Sequence, residues 1–187
     1  MEGFEFEKLE LEGAYLIRNY NANDERGRFS KIFESEIYRS NGLKFMPDEI
    51  FVSISVKNVI RGLHFQLKAP QVKLVSVLQG KVLDVLVDLR PESKTFGKWI
   101  CEVMSGDDHL AIFIPRGFAH GFAVMEDETI MLYQCEGMYD RTSDTGIRFD
   151  DPEIGVIWPI RKNMAIVSER DLGLMSFVEY KKRPMEV

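Results

Sequence analysis

The chain has 187 residues, 45% of them apolar and 11% aromatic, which suffices for one hydrophobic core, so we expect a single domain over residues 1–187. The formal net charge of −6, from 24 Lys and Arg against 30 Asp and Glu, excludes a general attraction to nucleic acid or to anionic membranes. The sequence has neither a signal-peptide pattern nor the roughly 18 consecutive apolar residues that span a bilayer, so we expect a cytoplasmic protein.

Short segments of alternating apolar and polar residues make up most of the chain, and Gly and Pro residues separate them. In chain order, the strand candidates are residues 10–17, 29–33, 51–56, 60–67, 73–90 as a hairpin, 99–104, 111–114, 122–125 and 129–135. Such a series predicts an all-β fold, either a closed antiparallel barrel or a jelly roll, with a few short peripheral helices.

Helix signals are few. A short helix is predicted to begin at Ser35 and to end before Asn41-Gly42, and a second is predicted over residues 169–174 with Ser168 as its N-cap. The charged tail, residues 176–187, is expected to be frayed. The two cysteines lie in strand-like apolar runs at residues 101 and 135, where reduced, packed thiols are expected.

Polar residues recur on strand faces that should point inward. In the hairpin, Lys73 shares a face with Val75, the turn falls at Gln79-Gly80, and Asp84 lies on one face of the return strand. Tyr133 lies in the last strand candidate. These inward-facing groups are candidates for a site because a charged side chain among apolar residues is costly unless it is paired or useful.

The three histidines differ in their surroundings. Alternation places His64 on the same strand face as Gln66, and His120 follows a Pro-Arg-Gly turn, so we expect it to begin a strand at the rim of the barrel. His109 lies in a polar turn and is expected at the surface. His64 and His120, together with the inward-facing Lys73, Asp84 and Tyr133, form the candidate site.

Two chemistries could use this set. A metal-binding barrel needs three or four His or Glu ligands, usually including a His-x-His pair, but the second residue of that pair is Gln66 here, so no metal is predicted. Proton abstraction beside a carbonyl needs a base with a pKa near 7, a cation at the developing enolate oxygen, and an acid on the opposite face. Histidine, lysine and tyrosine suit these roles, and no cofactor is required.

A family resemblance is carried by motifs that run in order along nearly the whole chain. The motifs are Asp24-Glu25-Arg26-Gly27, Arg61-Gly62-Leu63-His64-Phe65-Gln66, Lys73-Leu74-Val75, Asp84-Val85-x-Val87-Asp88-Leu89-Arg90, Phe96-Gly97-Lys98-Trp99, Ile114-Pro115-x-Gly117-Phe118-Ala119-His120-Gly121-Phe122, Asp150-Asp151-Pro152, Trp158-Pro159 and Ser168-Glu169-x-Asp171. With these motifs, the sequence resembles the dTDP-4-dehydrorhamnose 3,5-epimerase family.

The resemblance implies a cupin-type jelly roll, an obligate homodimer that exchanges N-terminal strands, and no metal or organic cofactor. It implies a nucleotide-diphosphate-linked 4-keto-6-deoxy sugar as the substrate, inverted beside the ketone, in a pathway that serves surface polysaccharide synthesis. By matching positions, His64 would be the base, Asp171 the carboxylate that holds it, Lys73 the group at the enolate oxygen, and Tyr133 the acid.

The resemblance also implies a set of substrate-binding residues. Asp84 and His120 would complete the pocket and Tyr139 would line it, while Arg26, Arg61 and Gln71 would bind the diphosphate or the sugar, and Phe29 would lie near the base, contributed across the dimer.

Four positions depart from the family pattern. One is Met138, which leaves Tyr139 as the single residue of an expected tyrosine pair. Lys31 replaces a carboxylate on the nucleotide side, and Glu49 and Phe51 stand where the family has Gln and Asn. The residues proposed for proton transfer are all present, so the reaction class is still expected. The departures leave open the nucleotide, the sugar and the number of inverted centres. The alternatives are a nucleotide-sugar ketoisomerase or single-centre epimerase, a metal-dependent cupin oxygenase, and a sugar-binding barrel without catalysis.

Overall fold

The computed structural model describes residues 3–185, which fold mostly into antiparallel β-strands with three short α-helices. The predicted all-β class is confirmed. None of the helices in this range is long and apolar enough to cross a membrane.

Most of the strands form two sheets. The six-stranded sheet has, in spatial order, β1 (Glu5–Lys8), β2 (Tyr15–Arg18), β10 (Leu110–Ile114), β7 (Val72–Gln79), β12 (Thr129–Glu136) and β5 (Glu49–Ser55). The five-stranded sheet has β13 (Asp144–Gly146), β6 (Ile60–Gln66), β11 (Phe118–Val124), β8 (Lys81–Asp88) and β9 (Trp99–Ser105). A separate hairpin consists of β3 (Tyr20–Asp24) and β4 (Gly27–Lys31), and the helices are α1 (Ser35–Ser40), α2 (Glu169–Leu172) and α3 (Phe177–Tyr180), with a 3₁₀ turn at Lys162–Met164.

The main core lies between the two sheets. Val75 and Met131 of the six-stranded sheet pack in one cluster with Leu86 and Phe122 of the five-stranded sheet, and all four are almost fully buried. Strand pairing within residues 3–185 leaves the sheets separate, so the jelly roll is a sandwich and not a hydrogen-bonded closed barrel.

The predicted hairpin over residues 73–90 is wrong as a strand pairing, although both strands and the turn are formed. Strand β7 pairs with β10 and β12, whereas β8 pairs with β11 and β9, because the chain crosses from one sheet to the other at this turn. Strands β7 and β8 are joined through Gly80, whose φ is +78° and where an added Cβ would lie 2.2 Å from Thr129 Oγ1. This position therefore requires glycine both for its backbone conformation and for space. Of the predicted strand 10–17, only the part that begins at Tyr15 is formed.

The strand that carries His120 begins earlier than predicted. Gly117, with a φ of +91°, closes the preceding turn, and β11 starts at Phe118. His120 is therefore the third residue of a fully buried strand, and the prediction that it begins a strand at a rim is wrong. Both cysteines are free, as predicted, and Cys135 is buried while Cys101 is partly buried.

The C-terminal segment covers the outer face of the five-stranded sheet. Phe177, Tyr180 and Met185 are buried there, and the Tyr180 hydroxyl donates a hydrogen bond of 2.7 Å to Leu89 O. The prediction of a frayed tail is therefore wrong for residues 177–185, because aromatic side chains anchor the segment; residues 186–187 lie outside the described range. Ser176 and Glu179 form a reciprocal capping box at the start of α3.

The hairpin of β3 and β4 extends from the sandwich. Every residue of β4 is exposed, including Phe29, which is 59% exposed. Arg28 fixes the hairpin to the turn between β9 and β10, since its guanidinium donates to Gly106 O at 3.1 Å and approaches Asp107 Oδ1 at 3.3 Å.

Candidate active site

One cavity of about 390 Å³ opens between the two sheets. One wall comes from β6 and β11 of the five-stranded sheet, and the other from β5, β7 and β12 of the six-stranded sheet. The residues that line it are Glu49, Phe51, Ser53, Arg61, His64, Phe65, Gln66, Gln71, Lys73, His120, Gly121, Phe122, Tyr133, Tyr139, Asp144 and Arg170.

His64 is held by a carboxylate from the C-terminal part of the chain. His64 Nε2 lies 2.8 Å from Asp171 Oδ1, while the backbone N–H of Gly62 donates to Asp171 Oδ2 at 3.1 Å. Asp171 lies in the first turn of α2, whose N-cap Ser168 accepts a hydrogen bond from Asp171 N. Burial raises the pKa of the Asp171 carboxyl, but His64 and the Gly62 N–H outweigh it, so the pKa lies below its usual range.

Two glycines allow the strands that carry the histidines to approach closely. A Cβ on Gly62 would lie 2.6 Å from Gly121 Cα, and a Cβ on Gly121 would lie 2.7 Å from Arg61 O. Gly62 also has a φ of +117°, which a side chain would disfavour. With both glycines present, His64 and His120 lie opposite each other in the register of β6 and β11.

His120 belongs to a second, more deeply buried pair. His120 Nε2 lies 2.8 Å from Asp84 Oδ2, and the exposed side-chain fractions are 5% for His120 and 0% for Asp84. Asp84 Oδ1 is buried and has no hydrogen-bond partner among the described residues. The pair is built into the wall of the cavity and faces it through His120.

Lys73 is a partly buried lysine on the wall of the cavity. It projects from β7 toward the cavity, and no hydrogen bond or ion pair of its ammonium is found within residues 3–185. Burial lowers its pKa, and the nearby Cys135, Asp144 and Glu49 only partly oppose that effect. An unpaired ammonium in a cavity can donate all of its hydrogen bonds to a ligand.

Tyr133 lies on β12, on the wall opposite His64. Tyr133 is 8% exposed, and its ring stacks on that of Phe51, with ring centroids 4.8 Å apart and planes at 12°. Burial raises the pKa of the phenol, and the nearby Ser53 hydroxyl counteracts part of that rise. The phenol therefore keeps its proton across the neutral range and can act as an acid.

The mouth of the cavity is lined by polar groups that are already paired. Gln71 Nε2 donates to Glu49 Oε1 at 2.7 Å and to Gly137 O at 2.8 Å, so both amide hydrogens are used and only its carbonyl oxygen is available to a ligand.

On the other side of the mouth, two side chains donate hydrogen bonds to the carboxylate of Asp144. Asp144 Oδ2 accepts hydrogen bonds from the Tyr139 hydroxyl at 2.9 Å and from Arg170 Nη2 at 2.7 Å. The hydrogen bond to Asp144 raises the pKa of Tyr139. Arg61 lies on β6 at the same cavity and is exposed, with Nε donating to Ser55 Oγ at 3.1 Å.

Most of the predicted site residues are brought together, but two are not. Arg26 and Phe29 lie on the β3–β4 hairpin and do not line the cavity of their own chain. Arg26 is instead hydrogen-bonded to the Asp24 carboxylate, with Nε 3.1 Å from each oxygen. Within residues 3–185, no group of three or more His, Cys, Asp or Glu side chains is arranged to hold a metal ion.

Several lining residues were not predicted as site residues. Gln66 shares a strand face with His64, so alternation is enough to include it. Glu49 and Phe51 stand out in the sequence only as departures from the family pattern. Asp144 and Arg170 had no signal of their own, although Arg170 is the neighbour of Asp171. Their place in the site depends on how the segment after β12 folds back over the cavity.

The arrangement suits proton transfer at a carbon beside a carbonyl. An imidazole with a carboxylate partner lies on one wall. A protonated phenol and an ammonium that has no partner in the described part of the chain lie on the other wall. These are the groups required to remove a proton, to stabilise an enolate and to return a proton from the opposite face.

Comparisons with known proteins agree with this chemistry. The family model described as dTDP-4-dehydrorhamnose 3,5-epimerase matches residues 8–179. A relative of that name from Methanothermobacter thermautotrophicus is 44% identical over 174 residues, covering 91% of this chain and 93% of the relative.

Two solved structures superpose over nearly the whole chain. One is a dTDP-6-deoxy-D-glucose-3,5-epimerase from Legionella pneumophila in complex with dTDP-4-keto-L-rhamnose, with a TM-score of 0.92, 32% identity, and coverage of 99% of this chain and 100% of that one. The other is a 3′-monoepimerase from Streptomyces bikiniensis in complex with dTDP-quinovose, with a TM-score of 0.87, 28% identity, and coverage of 94% and 89%. The predicted resemblance is confirmed, and the chain belongs to the dTDP-4-dehydrorhamnose 3,5-epimerase family.

Proposed function

We propose that the chain is an isomerase that inverts C3 and C5, beside the C4 ketone of dTDP-4-dehydro-6-deoxy-D-glucose, to give dTDP-4-dehydro-L-rhamnose. The observation that carries the proposal is the position of His64 and Tyr133 on opposite walls of one cavity. A proton removed from one face of a carbon and returned from the other inverts that carbon. Family membership supplies the nucleotide-sugar class of the substrate.

In this proposal, His64 is the base. The hydrogen bond from His64 Nε2–H to Asp171 fixes the tautomer of the imidazole. The lone pair of Nδ1 is then left to accept the proton from the sugar carbon beside the ketone. Asp171 then faces an imidazolium and stabilises it, while the Gly62 N–H holds the second carboxylate oxygen in place. Removal of the proton leaves the electron pair on the substrate as an enolate with its charge on the C4 oxygen.

Lys73 stabilises that oxygen. Its ammonium has no protein partner among the described residues, and burial strengthens its interaction with a developing negative charge. The His120–Asp84 pair completes the same pocket. Tyr133 then donates its phenolic proton to the carbon from the opposite side. Before the second carbon reacts, and again after the product leaves, the phenolate takes a proton from solvent and the His64 imidazolium releases its proton to solvent.

The diphosphate is proposed to lie near the exposed Arg61. Gln71 contributes an acceptor at the mouth, and Tyr139 lines it. Arg26 and Phe29 are proposed to reach the site from a second copy of the chain in a homodimer that exchanges the β3–β4 hairpin.

Two features support the dimer. A two-stranded hairpin is marginally stable alone, yet β4 is exposed along its whole length. In addition, β5 is an edge strand whose outer residues Ile50, Val52 and Ile54 are all more than half exposed. A second copy would cover both surfaces.

The two free cysteines suit the reducing cytoplasm, where we propose that the enzyme acts.

The experiment is an assay of the purified protein in D₂O with dTDP-4-dehydro-6-deoxy-D-glucose, with the product examined by NMR. The proposal predicts deuterium and inversion at both C3 and C5. Inversion at C3 alone would support the single-centre reaction named for the Streptomyces bikiniensis relative. Movement of the ketone would identify a ketoisomerase, and binding without exchange would identify a sugar-binding barrel; either result would overturn the proposal.

The nucleotide is tested in the same assay. Lys31, Glu49 and Phe51 depart from the family pattern, so the GDP-, CDP- and UDP-linked sugars are compared with the dTDP-linked sugar. We expect the highest kcat/KM with dTDP. A higher value with another nucleotide would reassign the substrate and leave the epimerase chemistry in place.

A further inference from the structure

The ring of Phe51 covers one face of the Tyr133 ring. The two residues are register partners on β5 and β12, and their rings are nearly parallel, with centroids 4.8 Å apart. Phe51 is 47% exposed, whereas Tyr133 is 8% exposed. The half-exposed ring therefore shields the buried one from solvent on that side.

The other aromatic neighbours of Tyr133 hold it less closely. The His120 ring lies 6.2 Å away at 67°, and the Phe122 ring lies 6.5 Å away at 49°. Both belong to β11 in the opposite sheet, which forms a fixed wall. Phe51 lies on the edge strand β5, and its ring confines the Tyr133 ring between itself and β11.

We propose that Phe51 is a positioning residue for Tyr133, which keeps the phenol ring in the plane that aims its hydroxyl at the substrate carbon. Parallel stacking restricts rotation of the ring and also excludes water from its face. The inference rests on the proposed function, in which Tyr133 is the acid. It also gives a role to a residue that stands where the family has an amide.

An enolate in this cavity can be protonated by two routes. Either Tyr133 protonates the carbon from the far side, which inverts it, or protonated His64 returns a proton to the face from which it came. The second route leaves the configuration unchanged but carries solvent deuterium into the substrate once the imidazolium has exchanged. A poorly aimed phenol favours this second route.

The test is run in D₂O and measures two amounts: recovered substrate that carries deuterium but keeps its configuration, and inverted product. Their ratio reports how the enolate is partitioned between the two routes. Phe51→Leu keeps an apolar side chain but removes the ring, and we expect the ratio to rise by roughly tenfold, since small misplacement of a reacting group has large kinetic effects. Phe51→Tyr restores a ring that can stack, and its ratio should stay close to that of the wild type. Phe51→Met replaces Phe51→Leu if the circular dichroism spectrum of the latter is altered.

Tyr133→Phe, assayed in parallel, separates the two proposals. If Tyr133→Phe raises the ratio and Phe51→Leu does not, the role of Phe51 is overturned while the acid assignment stands. If Tyr133→Phe leaves the ratio unchanged, Tyr133 is not the acid and both proposals fail. A rise in Phe51→Leu together with rescue in Phe51→Tyr supports the inference, because a merely structural role would not distinguish a ring from an aliphatic chain in the partition ratio.

Discussion

His64 and His120 lie directly opposite each other on the neighbouring strands β6 and β11, and each imidazole is hydrogen-bonded through Nε2 to an aspartate at 2.8 Å. The two pairs differ in access to the cavity. The His64 side chain is 26% exposed, whereas that of His120 is 5% exposed and its Asp84 partner is fully buried. The geometry thus gives two similar pairs but only one imidazole with open access to substrate.

The first prediction distinguishes these pairs by mutation. His64→Asn should abolish deuterium exchange beside the ketone, a loss of roughly 10²–10⁴-fold or more, because it removes the base. His120→Asn should reduce kcat/KM but leave exchange measurable by NMR in D₂O. Exchange at the wild-type rate in His64→Asn would remove His64 as the base, and complete loss in a folded His120→Asn variant would transfer that role to His120.

The sequence was sufficient for features that depend on local alternation. The faces of Lys73 and of His64 followed from period-two patterning, and the turn at Gly80 followed from Gln-Gly between two apolar runs. The helix α3 could also have been predicted, because Ser176 and Glu179 have the spacing of a capping box.

The remaining features depend on distant contacts. Asp171 is 107 residues away from His64 and, viewed locally, is only an acid at the start of a helix. The family resemblance alone assigned it to the site. The pairing of Gln71 with Glu49 could not be inferred either, because it depends on where β5 begins beside the loop that follows β12.

Asp171→Asn provides the second prediction. An amide keeps the volume of the side chain, but the amide cannot provide a charged acceptor for both His64 Nε2–H and Gly62 N–H. We expect kcat to fall by roughly 10²-fold or more with little change in KM, because the residue acts through His64 and not on the substrate. Steady-state kinetics would check this, and a selective rise in KM would instead place Asp171 in substrate binding.

The third prediction concerns the free energy of unfolding and Lys73. Burial lowers the pKa of Lys73, so this residue binds fewer protons in the folded chain than in the unfolded chain. The charged ammonium therefore disfavours folding at every pH below its unfolded pKa. The free energy of unfolding rises as the pH increases from the folded pKa to the unfolded pKa. Lys73→Met should therefore eliminate activity yet raise stability at pH 7 by on the order of 1 kcal/mol, roughly 2–4 °C in Tm.

Urea unfolding and thermal melts would measure this effect. Lys57→Met, at an exposed position outside the cavity, is the matched control and should leave both activity and Tm nearly unchanged. A lower Tm in Lys73→Met would mean that the ammonium has a stabilising partner.

Glu49 gives the fourth prediction, which concerns pH dependence. The Glu49 carboxylate raises the pKa of Lys73 and partly offsets the lowering by burial. In Glu49→Gln the ammonium should lose its proton at lower pH, so the alkaline limb of kcat/KM should move to lower pH. A profile from pH 6 to 10 would show the shift, and an unmoved limb would mean that another group controls it. Glu136→Gln, near the mouth but outside the cavity lining, is the control.

The fifth prediction tests whether the β3–β4 hairpin completes the site of a second copy. In such a dimer, each site combines His64 of one chain with Arg26 of the other, so His64→Ala and Arg26→Glu chains can form one intact site together. Both variants should be weakly active alone, whereas hybrids purified through two different affinity tags should recover about half of the wild-type activity. Arg26→Glu should not unfold the chain, since the Arg26 side chain is exposed and its guanidinium is paired with Asp24, two residues away in the same hairpin.

The control hybrid joins His64→Ala with Tyr133→Phe. Both of these residues lie in the sandwich of one chain, so one site of the hybrid lacks the base and the other lacks the acid, and inversion should not recover. If the hybrid of His64→Ala with Arg26→Glu also fails to recover activity, Arg26 does not cross between chains. The single-chain cavity, with Arg61 and Arg170 as exposed cations in its lining, would then be the complete site, and the exposed face of β4 would need a different explanation.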